Sequence, residues 1–140
     1  MRNVFYLCCL ALFFVNCTPS EDSEVLEIIE DVVEEDGMIK IFTGDFVSGA
    51  HTTSGMVSLN EAKTELYFRN FMTDNGPKLL VYLSSDINAT EYVNLGDLKG
   101  ISGDYTYEVP ENTDLSKFKY VNIWCVDFLV SFGHAELKNE

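Results

Sequence analysis

Apolar and polar positions fall into three successive patterns along the chain. Residues 4–15 (VFYLCCLALFFV) are an unbroken apolar run. That is the length of a signal-peptide hydrophobic region, and it is too short to cross a bilayer as a helix. In residues 20–36 (SEDSEVLEIIEDVVEED) the apolar positions Val25, Ile28, Ile29, Val32 and Val33 recur at helical spacing, but nine acids and no base surround them. A free helix with such uniformly anionic faces repels itself, so the stretch reads as a solvated spacer. A short amphipathic helix docked on the domain or on a partner is the alternative. Residues 38–137 change character again. Short apolar or alternating runs (IKIFTG, ELYFRNF, KLLVYLSS, GDYTYEV, KYVNIWCVDFLVSF) are separated by Gly44, Gly49, Gly55, Asn75-Gly76-Pro77, Gly96, Gly100, Gly103, Pro110 and Gly133.

Punctuation of that kind predicts strands every 8–15 residues or so and no long helix. The fold class is therefore all-β: an antiparallel β-sandwich or barrel-like single domain that follows a signal peptide and an acidic tether. The expected bounds are 1–16 for the signal, 17–37 for the tether and 38–140 for the domain. Tyr105, Tyr107 and Val109 alternate with Thr106 and Glu108, which predicts one wet face. Residues 79–83 show no polar alternation and should be covered on both sides. Asn75-Gly76-Pro77 suits a tight turn before them, with Gly76 at positive φ.

Composition changes the picture little until it is divided among the segments. The chain has 140 residues and a formal charge of −14, with 46% hydrophobic residues, enough for one compact core. No basic stripe exists, which argues against nucleic acid as a partner. Residues 37 onward hold 14 acids and 8 bases, a net of −6, so most of the excess charge belongs to the tether. The apolar run ends at Asn16-Cys17 and resembles a bacterial lipoprotein signal, in which the cysteine becomes the lipidated first residue. Phe14 and Asn16 depart from the usual residues there, and ordinary secretion is the alternative. Thr18 is not the Asp of an inner-membrane retention signal, which points to a lipid-anchored protein at the outer membrane, periplasmic or surface-exposed. Cys8 and Cys9 leave with the signal and Cys17 carries lipid. Cys125 then remains as a lone thiol in an oxidising compartment.

Motifs of enzyme chemistry are missing. There is no Gly-x-Ser-x-Gly elbow, no Walker A loop, no GxGxxG after a strand and no HExxH. Cys125, His51 and His134 lack metal-ligand spacing, and a stand-alone enzyme finds no support. On a strand Val121, Ile123 and Cys125 share the more apolar face, so the thiol should point toward the core, where free cysteines pack as small hydrophobes and stay inert. His51 precedes Thr-Thr-Ser-Gly and reads as an exposed residue on a turn or strand edge. Trp124, Phe128 and Phe132 read as packing aromatics.

Several stretches taken together resemble the DM-thirteen domain, the proposed electron-transfer module of Skeletor-type proteins. They are Asp45-Phe46-Val47-Ser48-Gly49-Ala50-His51, Phe68-Arg69-Asn70-Phe71, Asn75-Gly76-Pro77-Lys78-Leu79, Leu95-Gly96-Asp97-Leu98-Lys99-Gly100, and the closing Trp124-Cys125-x-x-Phe128 with Phe132-Gly133 and Ala135-x-Leu137. The resemblance runs over residues 42–137. It implies a β-rich extracellular module whose redox role rests on one cysteine, here Cys125, either as a naked thiol or as a cofactor ligand. Relatives often carry neighbouring DOMON or haem-linked domains. None is recognisable here, so the electron partner is expected to be a separate envelope redox protein. His134, in the last long strand, is the residue that could join Cys125 on a haem, although two scattered histidines give that arrangement thin support. No other cofactor is implied. The competing reading is a non-catalytic binding or adhesion lipoprotein in which Cys125 is a buried core residue.

Overall fold

The computed structural model describes residues 41–139. The expected signal peptide, the lipidated Cys17 and the acidic tether lie outside the described residues. What is described is all-β. Nine strands follow in order: β1 (Phe42–Ser48), β2 (Thr53–Leu59), β3 (Glu65–Thr73), β4 (Leu79–Ser84), β5 (Tyr92–Asp97), β6 (Ser102–Glu108), β7 (Tyr120–Cys125), β8 (Val130–Glu136) and the two-residue β9 (Lys138–Asn139). They form one sheet in the order β5-β4-β7-β8-β1-β2-β3-β6, with β9 beside β1, and it curls into a nearly closed antiparallel barrel.

β1 is the seam. Its residues 43–45 pair with β2, while residues 46–48 pair with β8, so one short strand joins both halves of the sheet. Inward positions fill the barrel with Val57, Leu66, Phe68, Val81, Leu83, Val121, Ile123 and Ala135, all fully buried. At one end Phe46, Phe68, Phe71 and Tyr107 pack with ring centroids about 5 Å apart in edge-on and tilted pairs, the arrangement that aromatic quadrupoles favour. β6 alternates as its sequence predicts: Ser102, Asp104, Thr106 and Glu108 are wet, while Tyr107 is buried.

All six residues of β4 are buried. Leu79, Val81 and Leu83 belong to the barrel interior. Leu80 and Tyr82 face outward, where Ala89 from the β4–β5 loop, Trp124 and Val126 cover them in a second small cluster. The same loop is pinned by Asn122, whose Nδ2 donates to the Ile87 carbonyl at 2.9 Å and whose Oδ1 accepts from Ser131 Oγ at 2.6 Å. A fully buried amide on β7 is thereby satisfied at both ends.

Two local expectations need correction. Gly76 does not use positive φ, which among glycines falls to Gly55, Gly96 and Gly103. Its glycine is required by crowding instead: a Cβ there would stand 2.8 Å from Phe132 Cζ and 3.0 Å from Leu79 Cδ2. Phe128 is no packing residue. It sits 69% exposed on the β7–β8 turn beside the equally exposed Leu129.

Candidate functional site

Cys125 ends β7 and is 0% exposed. Its backbone neighbours are Leu79 on β4 and Val130 on β8. Side chains alternate along β7 as the sequence predicts, so Val121, Ile123 and Cys125 all enter the core.

β8 does not alternate so simply. Ile123 pairs with Gly133 and Trp124 with Ser131, which leaves Phe132 as the extra residue of a β-bulge. The bulge turns Phe132 inward and shifts the phase beyond it. Ala135 and Leu137 then join the core, whereas His134 and Glu136 face outward. Phe132 Cζ and Leu79 Cδ2 both lie close beneath Gly76. Because β7 runs between β8 and β4, a ring rooted on β8 whose tip reaches toward Leu79 crosses the inner face of β7 at the level of Cys125. Phe132 therefore enters the core on the face of the sheet that holds Cys125.

His51 covers Phe132 in turn. The two rings stack with centroids 3.8 Å apart and planes 28° from parallel. The loop that carries His51 is strapped onto the bulge: Gly49 N–H and His51 N–H both donate to the Phe132 carbonyl, at 2.8 and 3.2 Å, and Ala50 N–H donates to the Ser131 carbonyl at 2.9 Å. Asp74 Oδ2 lies 3.1 Å from His51 Nδ1. A carboxylate can only accept, so Nδ1 is the donor in this contact.

Sequence reasoning placed Cys125 and the exposed His51 correctly but did not find this assembly. Asp74 lies 23 residues from His51. Phe132 is 81 positions further along the chain than His51, and no local pattern links them.

His134, the other candidate ligand, is not brought to Cys125. Its backbone partner on β7 is Asn122, and its ring packs edge-on to Tyr120 on the outer face of the barrel. A haem held between the Cys125 thiol and the His134 imidazole does not fit these residues, because the sheet stands between them. His134 instead lines an outer groove of about 510 Å³, together with Asp45, Val47, Met56, Tyr120 and Glu136. Its Nδ1 is buried with no hydrogen-bond partner. Burial holds the imidazole below its ordinary 6.5. In the same groove the ammonium of Lys119, and after it that of Lys138, holds the Glu136 carboxyl below its ordinary range.

A histidine whose folded-state value is depressed gives stability that is complete above its unfolded value and is lost as pH falls through the folded one. Urea unfolding should accordingly show a loss of stability as pH drops below about 6.5, and His134→Gln should remove that portion of the loss. The carboxyls of Asp86, Asp114 and Glu136 are also held low, but their ordinary values are 3.8, 3.8 and 4.5, so their contributions disappear in a more acidic window. Equal pH profiles for both proteins above pH 5 or so would refute the assignment to His134.

Among the described residues no group of three His, Cys, Asp or Glu side chains is arranged to hold a metal ion. No curated protein matches the chain, and no solved structure does. A family model described as Electron transfer DM13 matches residues 45–137, which takes in every strand from β2 to β8 and most of β1. With the β8 bulge, the buried Cys125 and about two thirds of its length inside that match, the chain belongs to the Electron transfer DM13 family.

Proposed function

We propose that this domain transfers electrons through the Cys125 thiol, which is stored under Phe132 and becomes reactive when the end of the barrel opens. The observation that carries the reading is the one cysteine among the described residues, free and buried as the last residue of β7 in the core cluster that also holds Phe132. Displacing Phe132 and the residue 49–51 loop uncovers the sulfur and leaves the rest of the core in place. The reaction that balances with a single thiol is exchange with a partner disulfide. Once uncovered, the Cys125 thiol loses its proton to water, the resulting thiolate attacks a partner sulfur, the Cys125–partner S–S bond forms, and the partner's other sulfur leaves as a thiolate.

Ellman's reagent, itself a disulfide, provides the test. Native protein should be labelled at Cys125 through local opening, about tenfold or more faster than global unfolding permits. Labelling at the global unfolding rate would refute the reading. Complete burial of Cys125 favours the second reading, a binding lipoprotein with a structural core cysteine. The same experiment separates the two when paired with Cys125→Ser. In both cases the serine hydroxyl is desolvated without a partner and costs about 1–3 kcal/mol. Under the structural reading, stability is the only property that changes.

The residues before the domain support a further part of the proposal: anchorage at the outer membrane through lipid on Cys17, which would bring the domain to an envelope redox protein. Palmitate fed to expressing cells should label the wild-type protein and not Cys17→Ala. Label retained in the variant would remove the anchor.

A further inference from the structure

The outer face of β7 carries a second feature suited to electron transfer, and it does not involve the thiol. Tyr92 on the edge strand β5, Tyr82 on β4 and Trp124 on β7 lie diagonally across three adjacent strands. Tyr82 is opposite Asn94, two residues from Tyr92, and opposite Asn122, two residues from Trp124. The Tyr82 and Tyr92 rings stack with centroids 4.0 Å apart and planes within 8°. Tyr82 and Trp124 continue the stack at 6.3 Å and 23°. Tyr92 is 50% exposed, Tyr82 in the middle only 5%, and Trp124 is partly buried. Leu80 and Ala89 are buried with Tyr82, and Trp124 and Val126 pack against that cluster.

We infer that Tyr92, Tyr82 and Trp124 form a relay for single electrons, with Tyr92 as its terminal on the edge strand and the indole of Trp124 as its terminal on β7. The inference shares the electron-transfer reading of the family but adds a redox site separate from Cys125. All three side chains are oxidisable by one electron, whereas phenylalanine would fill the same stack without that property. A sugar-binding platform needs a free ring face, and Tyr82 has a neighbour on each side. Trp124 also precedes Cys125 directly, so the relay ends on the strand that carries the thiol.

The step balances with a one-electron acceptor docked at Tyr92, such as an oxidised metal complex or the metal centre of a carrier protein. The acceptor gains one electron, and the Tyr92 phenol releases its proton to water and becomes a phenoxyl radical. That radical regains an electron from Trp124 through Tyr82 and a proton from water. The Trp124 radical cation then sheds its Nε1 proton. One electron and one proton leave the protein in all.

The experiment uses the full chain and photogenerated tris(bipyridine)ruthenium(III) as oxidant, with transient absorption and electron spin resonance as readouts. Trp124 is the sole tryptophan, so its radical is unambiguous. Wild type should accumulate the neutral Trp124 radical. Tyr82→Phe, which keeps the ring and interrupts the relay, should lose most of that yield. Tyr92→Phe, at an exposed edge, should do the same without touching a buried residue, and Trp124→Phe should leave a persistent phenoxyl signal. A Trp124 radical yield unchanged in either tyrosine variant would mean direct oxidation of the indole and would overturn the relay. Cys125→Ser should leave the radical yield as in wild type, so failure of the thiol reading and failure of the relay give different results. Dependence of the Trp124 radical on Cys125 would count against the relay as a separate site.

Discussion

Phe132→Ala should cost the domain about 3–5 kcal/mol and convert Cys125 from a protected thiol into a freely labelled one. The magnitude follows from the ring's surroundings. It is 1% exposed, reaches toward Leu79 under Gly76 and supports the stacked imidazole of His51. Truncation removes its transfer free energy and leaves a cavity that rigid strands cannot collapse to fill. The cavity opens beneath the residue 49–51 loop, in the core cluster that also holds Cys125. Denaturant unfolding measures the first effect, and Ellman labelling in the absence of denaturant measures the second. Phe132→Leu, which keeps part of the volume, should lose less stability and expose the thiol less. Loss of stability with unchanged labelling would show that Phe132 fills space without guarding Cys125.

Gly133→Ala is the second change with a large expected effect, and it acts by overfilling. An added Cβ would lie 2.4 Å from Thr53 Cβ and 2.5 Å from Thr53 Oγ1. Thr53 cannot give way easily. Its Oγ1 bonds Thr73 Oγ1 at 2.9 Å and donates to the Phe132 carbonyl at 3.1 Å, both inside the barrel. Moving it sacrifices those buried bonds in addition to the strain, so a loss of about 3 kcal/mol or more is expected. Thr53→Ala should not rescue the variant, because the nearest contact is the β-carbon that alanine retains. Thr53→Gly removes that carbon. The urea midpoint should fall at constant m-value, and an unfolding free energy within about 0.5 kcal/mol of wild type would refute the crowding.

These two positions also mark where the sequence was readable and where it was not. Glycine and proline punctuation, with period-two alternation, sufficed for the β class, the wet face of β6 and the burial of β4. The inward direction of Cys125 followed from the same alternation, because β7 is regular. The final strand was not readable in this way. An even count from Val130 would place Phe132 and His134 on one face, and only the extra residue at the bulge sends His134 outward. A bulge depends on how two strands register, and nothing within VSFGHAE announces it. The glycine at 133 was visible, but Thr53, the side chain that requires it, is 80 positions away. The pairing of His51 with Asp74 and its stacking on Phe132 were hidden for the same reason: contacts between loops at one end of a barrel leave no periodic trace. The family resemblance added the cysteine as the residue to examine. It did not indicate what covers that cysteine.

The seam at β1 governs the order of assembly. Phe46 meets Ala135 across a separation of 89 residues, and the same strand has already paired with β2 a few residues after a tight turn. The local half of its pairing forms early and at little entropic cost. The distant half waits until nearly the whole domain is present. A chain emerging from a ribosome or a membrane channel therefore holds an unpaired edge at β1 until β8 follows. Throughout that interval Cys125 is an ordinary accessible thiol, so the compartment in which the barrel closes decides whether the cysteine enters the core reduced.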